Sequence, residues 1–239
     1  MPDRRHHRGP HPHDQQLFSA AALPSLAAAV ADLVWLLSRG YAIPSSLKLV
    51  GDRHALDARQ RLAVARSACS DNDRRARQTK LVAPEQVAGQ SLWIDGFNVL
   101  TTVEAALSGG VILLACDGCF RDMASMHGSY RKVAETGPAL EKIGACLQTL
   151  RPHSVRWLLD QPVSNSGRLK LRLEELAAER HWPWTVELVR DPDAELVQTD
   201  AIVASADSQV IGGAACWLNL ARLVVETQIP APWIVDLSV

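Results

Sequence analysis

A chain of 239 residues, 47% of them hydrophobic and with net charge −1, can bury one sizeable α/β core with a small module beside it. No apolar run reaches the roughly 18 residues of a membrane span, so a cytoplasmic protein with no membrane partner is expected. The near-neutral total hides a split: residues 1–90 carry 13 Lys/Arg against 8 Asp/Glu, residues 91–239 carry 12 against 18. The front can meet a polyanion, while the back would need a metal ion or local basic patches to do so.

Residues 1–16 are polar and rich in His, Arg and Pro. They have no apolar core, which excludes a secretory signal and predicts a mobile tail. Residues 17–80 read as a helical module. Leu23, Leu26, Val30, Leu33 and Leu37 recur at helical spacing and Gly40 stops the run. A short helix from Pro44 to Gly51 follows, and Asp57 can cap a third that ends near Cys69. Such helices fit a helix-turn-helix-like bundle with Lys48, Arg53, Arg59, Arg61 and Arg66 on the phosphates of RNA or DNA. They equally fit a cap packed on the domain behind, and the lack of an identifiable recognition helix favours the cap. Asp71 to Gln78, with three arginines, reads as an exposed basic linker.

Residues 91–239 alternate strands with helices. Leu92-Trp93-Ile94 is an apolar strand ending at Asp95; Gly96 turns the chain and Asn98 returns a neutral amide to the same edge. A helix over about 101–107 leads to a second strand, Val111 to Cys116, ending at Asp117. A helix over about 138–150 leads to a third, Val155 to Leu159, ending at Asp160. The small-residue loop Ser164-Asn165-Ser166-Gly167 opens a helix to about Arg180. Thr185 to Val189 is a fourth strand, and Ala201 to Ala206 a fifth, bracketed by Asp200 and Asp207. A helix over 214–225 and a strand from Trp233 to Val235 follow. This order predicts an α/β fold: a mainly parallel sheet with helices on both faces.

In such sheets ligands bind at the carboxyl ends of the strands. Asp95, Asp160 and Asp207 each follow a strand, and three carboxylates at one edge repel unless a cation neutralises them. Mg²⁺ or Mn²⁺ prefers such oxygens and can activate a phosphodiester. Asp117 is a further candidate ligand. Asp122 and His127 are weaker candidates, and Asp191 and Asp193 beside Pro192 read as a solvated turn. Trp182 and Trp184 suit packing at the sheet rim better than base stacking. The five cysteines read as reduced core thiols; Cys116 and Cys119 lack the second pair of a zinc site.

Ile94-Asp95-Gly96-Phe97-Asn98-Val99-Leu100 resembles the first strand of NYN domains, a branch of the PIN-like nucleases. Trp157-Leu158-Leu159-Asp160 before Ser166-Gly167, and Thr199-Asp200 leading through an apolar run to Ser205-Ala206-Asp207, resemble two further motifs of that family. The likeness spans about 92–239; Gln161 departs from it where a glycine is usual. The resemblance implies a metal-dependent endoribonuclease. Asp95, Asp160, Asp200 and Asp207 would hold the ion, and Asn98 would orient Asp95 or a phosphate; Asp117 has no counterpart in the family pattern and is a candidate ligand by its place after a strand alone. Ser164, Ser166, Gly167, Arg121 and Arg131 would touch RNA, and no protein nucleophile is needed. The rival expectation is a non-catalytic RNA-binding or regulatory protein of degenerate PIN-like fold. A covalent phosphatase is disfavoured because Phe97 stands where a second aspartate is needed, and a dinucleotide binder because no G-x-G-x-x-G follows the strand. The whole chain also resembles an uncharacterised prokaryotic family with a helical front, and a homo-oligomer is compatible with all of this.

Overall fold

The computed structural model describes residues 8–124, 130 and 132–239; His127 and Arg131 lie outside these. Five helices come first: α1 Asp14–Leu17, α2 Leu23–Leu37, α3 Ile43–Arg53, α4 Ala58–Ser67 and α5 Asp71–Lys80. Pro24 and Pro44 sit in the first turns of α2 and α3, where a missing N–H costs nothing. Asp57 and Gln60 form a capping box on α4, and Ser70 caps α5.

Two expectations fail in this part of the chain. Residues 8–16 are not a loose tail: Asp14 is fully buried against Arg59, and Arg8 pairs with buried Glu104 of the back domain. Residues 71–80 are not an exposed linker but α5. Arg77 of that helix is buried, and Lys80 Nζ donates to the Gly212 carbonyl at 2.6 Å. Three basic residues of the front are also engaged internally: Lys48 and Arg61 both pair with Asp52, and Arg53 pairs with Asp32.

The rest of the chain runs β1 Ser91–Asp95, α6 Gly96–Leu107, β2 Ile112–Leu114, β3 Phe120–Asp122, α7 Thr136–Leu150, β4 Ser154–Asp160, α8 Ser166–Arg180 and β5 Trp184–Val189. Then come α9 Pro192–Gln198, β6 Ile202–Ala204, α10 Ser208–Gly213, β7 Trp217–Leu218, α11 Leu220–Gln228 and β8 Ile234–Asp236. Five strands form one all-parallel sheet in the order β5-β4-β1-β6-β7. The pleat sorts the side chains. Leu92, Ile94, Val155, Trp157, Leu159, Ile202 and Ala204 share one core with α6, α7, α8 and α11. Leu158, Val203 and Trp217 face the opposite way, into a core with α9 and α10. Trp182 and Trp184 pack at the rim of the first core, ring centroids 4.5 Å apart.

The strand expected over 111–116 does not join this sheet. β2 pairs with β3 (antiparallel) and β8 (parallel) in a separate three-stranded sheet. Its apolar face, Val111, Leu113, Val235 and Leu237, forms one core with Leu26, Val30, Leu33 and Val64 of the front helices. A buried apolar strand alone does not say which sheet it enters, because burial on both sides comes equally from helices of either module. The helix expected over 214–225 is likewise divided, since Trp217 and Leu218 form the edge strand β7. No helix among the described residues is long and apolar enough to cross a membrane.

The shared core has a measurable consequence. A chain begun at residue 84 leaves Leu113 and Val235 uncovered and is expected to bind a hydrophobic dye and self-associate during size-exclusion chromatography. A monodisperse, dye-silent truncation would contradict the packing role of the front helices.

Candidate active site

Asp95 ends the central strand and caps α6. Its Oδ1 accepts from the Asn98 amide at 3.4 Å, and its Oδ2 accepts from Ser205 Oγ at 2.8 Å. Gly96 makes the strand-to-helix step possible. A Cβ there would sit 2.5 Å from Leu159 Cδ2 and 2.8 Å from the Leu158 carbonyl oxygen, and that backbone cannot move aside. Gly96→Ala is therefore expected to cost about 1–3 kcal/mol, read as a lower midpoint in urea; an unchanged midpoint would mean that β4 yields.

Loop 205–208 completes the frame. The Ala206 amide donates to Asn98 Oδ1 at 2.8 Å and the Asp207 amide to Ser205 Oγ at 3.0 Å. Asp207 then caps α10, accepting from Gln209 and Val210. One serine thus ties Asp95 to the segment that carries Asp207. The side-chain nitrogen Nδ2 of Asn98 has no partner among the described residues, and Asn98 lines a cleft of about 570 Å³.

Asp95, Asp160 and Asp207 all line that cleft, at the carboxyl edge of the parallel sheet. Asp122, Asp191 and Asp193 line it as well. The last two read as a mere turn in the sequence; they follow β5 just as the others follow their strands, and that repeated position is the signal that sequence reasoning missed. Asp122 is satisfied by the Thr102 hydroxyl at 3.0 Å and the Ala124 amide at 2.7 Å, with Arg66 at 3.7 Å. Among the described residues none of Asp95, Asp160, Asp191, Asp193 and Asp207 has a Lys or Arg at ion-pair distance. Three of these carboxyls, Asp95, Asp160 and Asp193, hold their protons more tightly than usual. Burial pushes Asp95 up to about 7, the Ser205 hydroxyl draws it down, and Asp193 and Asp207 push it up. Burial and Asp191 raise Asp160; burial, Asp207, Asp191 and Asp160 raise Asp193.

Other expected ligands lie elsewhere. Asp200 precedes β6, so it stands at the amino edge of the sheet, lining a different pocket with Ser91 and Gln90. Asp117 is buried between Arg121, which grips it with bonds of 2.9 and 2.7 Å, and Arg77 at 2.7 Å. Burial alone would raise its carboxyl, but the two guanidiniums outweigh that and hold it below the usual carboxylate range. Arg121 also donates to the carbonyls of Ala206 (2.8 Å) and Arg66 (3.1 Å), so it supports loop 205–208 from below. Ser166 opens α8, is buried and donates to the Gln161 carbonyl at 3.3 Å, Ser164 is exposed, and Gly167 lies in the first turn of α8.

The donor set fits a hard divalent cation: carboxylate oxygens without basic partners, among them an Asp160 Oδ1 that is buried without a hydrogen bond. Among the described residues no three Asp, Glu, His or Cys groups converge tightly enough to enclose an ion. The floor is open, which suits a cation that keeps several waters and takes one or two carboxylates. The buried thiols stand apart from it, and burial pushes Cys69 up to about 12 and Cys146 to about 11.

Residues 84–223 match the family described as Domain of unknown function (DUF5616), and residues 25–80 match that described as Protein of unknown function (DUF434). The chain is 31% identical over 189 residues to the uncharacterized protein MJ0935 of Methanocaldococcus jannaschii, across 78% of this chain and 89% of that protein. No solved structure matches. The stretch 84–223 takes in the whole parallel sheet and every aspartate of the cleft, and by that match the chain belongs to the DUF5616 family.

Proposed function

We propose that the protein is a divalent-metal-dependent ribonuclease with PIN-like chemistry. One observation carries this reading: five aspartates without basic partners share one cleft at the carboxyl edge of a parallel sheet. Carboxylates so placed favour a cation over solvent, and Mg²⁺ or Mn²⁺ is the class that suits them. Asp95, Asp160 and Asp207 would hold it, with Asp193 beside them. When bound, such an ion polarises a phosphodiester oxygen and acidifies water. The free amide N–H of Asn98 would donate to a phosphate oxygen, and Arg190, exposed at the cleft rim, would offset charge on the flanking strand. Arg66 is less available, because the carbonyls of Asp122 and Ala124 already hold its guanidinium.

A second reading is RNA binding without cleavage, since among the described residues no three ligands converge on one point. One experiment separates the two. Purified protein is incubated with structured and unstructured RNA in Mn²⁺, in Mg²⁺ and in EDTA, beside Asp207→Asn prepared identically. Cleavage confined to the wild type with metal is the expected result. Equal cleavage by both proteins, or cleavage in EDTA, would expose a contaminant and end the proposal; binding with no cleavage would leave the second reading.

A further inference from the structure

A second concavity lies on the far side of the loop that follows Asp160. It has a volume of about 340 Å³, and Lys132, Arg168 and Arg172 line it with Tyr130, Thr136 and Asn165. Among the described residues no Asp or Glu lines it, although residues 91–239 carry 18 acidic against 12 basic residues. Lys132 and Arg168 make no ion pair among the described residues, and Arg172 reaches Glu175 only at 3.5 Å, with both side chains partly exposed. Three cations gathered in one hollow of an acidic domain repel one another, and an anion relieves that. The wall is built rather than accidental. Asn165 adopts a left-handed conformation (φ 70°) directly before α8, its Nδ2 donates to the Tyr130 carbonyl at 2.8 Å, and the Tyr130 amide donates to the Ser164 carbonyl at 3.1 Å.

The hollow is also close to the aspartates. Val163 lines the acidic cleft and Asn165 lines the basic hollow. Two residues of chain span at most about 7 Å, so both concavities share one thin partition. We propose that the hollow of Lys132, Arg168 and Arg172 binds a backbone phosphate of the same RNA strand whose neighbouring phosphodiester lies over Asp95 and Asp160. The inference rests on the ribonuclease reading. It assigns the acidic cleft to the metal and the reacting phosphate, and the basic hollow to grip on the strand. Tyr130 is spent on Glu104 at 2.6 Å, so it serves as wall and not as ligand.

The test reads binding in EDTA, where no cleavage occurs. A fluorescein-labelled single-stranded ten-nucleotide RNA is titrated with the full chain, with the Lys132→Gln/Arg168→Gln double variant, and with Arg180→Gln, which removes a cation from the far end of α8. Lys132 and Arg168 are exposed, and matching thermal melts confirm that the double variant folds. The double variant is expected to bind roughly tenfold more weakly, with a log–log salt slope shallower by about 0.7 for each phosphate it no longer neutralises, while Arg180→Gln stays at the wild-type value. Unchanged affinity and slope in the double variant would overturn the proposal. So would a result in which inorganic phosphate, titrated separately, loses its binding while RNA does not, because the hollow would then take a free anion. RNA held through these residues but never cut in Mn²⁺ would support the strand grip and overturn the ribonuclease reading.

Discussion

Asp95→Asn is expected to abolish metal-dependent cleavage and at the same time to stabilise the chelator-treated protein above pH 7. Burial and the neighbouring Asp193 and Asp207 hold this carboxyl up, at about 7 against an ordinary 3.8. A folded-state value above the unfolded one means that the folded chain binds the extra proton between those two pH values. The associated stability is fully present below 3.8 and is lost as pH rises through about 7. Asparagine never ionises, so the variant escapes that loss. The difference between the two proteins should be small at pH 4 and grow to a plateau above pH 7, on the order of 2–4 kcal/mol. Urea melts in EDTA at a series of pH values measure it. The loss of cleavage follows from removing a ligand charge at the centre of the acidic floor, where the ion must be held against the substrate. A variant less stable than wild type at pH 8 would instead make Asp95 a capping residue that the fold needs charged.

Asp117→Asn should have the opposite effect on stability, and a large one. Its carboxylate, 1% exposed, holds Arg77 and Arg121 together in the interior. Without that charge two guanidiniums are left buried with no counter-ion, which costs about 3–5 kcal/mol, or roughly 10 °C in a chain of this size. Removing an exposed pair such as Lys48–Asp52 should leave the Tm nearly unchanged, because solvent screens it, and gives the comparison. The pH sign also reverses. Asp117 is held below its usual value, so its contribution is present above 3.8 and lost as pH falls through its lower folded value. Calorimetry at pH 7 and in acid checks both statements, and a Tm within about 2 °C of wild type would show that water reaches the pair.

How much of this could be read from the residues alone depends on what each signal encodes. The parallel sheet was legible because Ile94, Trp157 and Ala204 lie in short apolar runs separated by helical spacing, and those runs do pair in register. Asp95, Asp160 and Asp207 were legible as one edge because each directly follows its strand. Asp117 follows a strand too, yet β2 belongs to the other sheet, and no local feature of Val111 to Cys116 states its pairing partner. Asp200 misled for a different reason: it precedes its strand, and in a parallel sheet that places it at the far edge. Arg121, expected at RNA, does line the cleft, but its hold on Asp117, Ala206 and Arg66 was not legible because these come together only in three dimensions.

The small sheet sets an order of events on the ribosome. Helices α2 to α4 emerge first, but Val235 and Leu237, which complete their core, emerge after α11. Ile112 pairs with Ile234 across almost the whole length of the back domain. Pairings so distant in sequence form late and slowly. The front helices therefore pack on one another first, and Leu26, Leu33 and Val64 gain the rest of their cover only when β8 arrives. A free chain ended before residue 234 should leave those helices more open to protease than the full chain does.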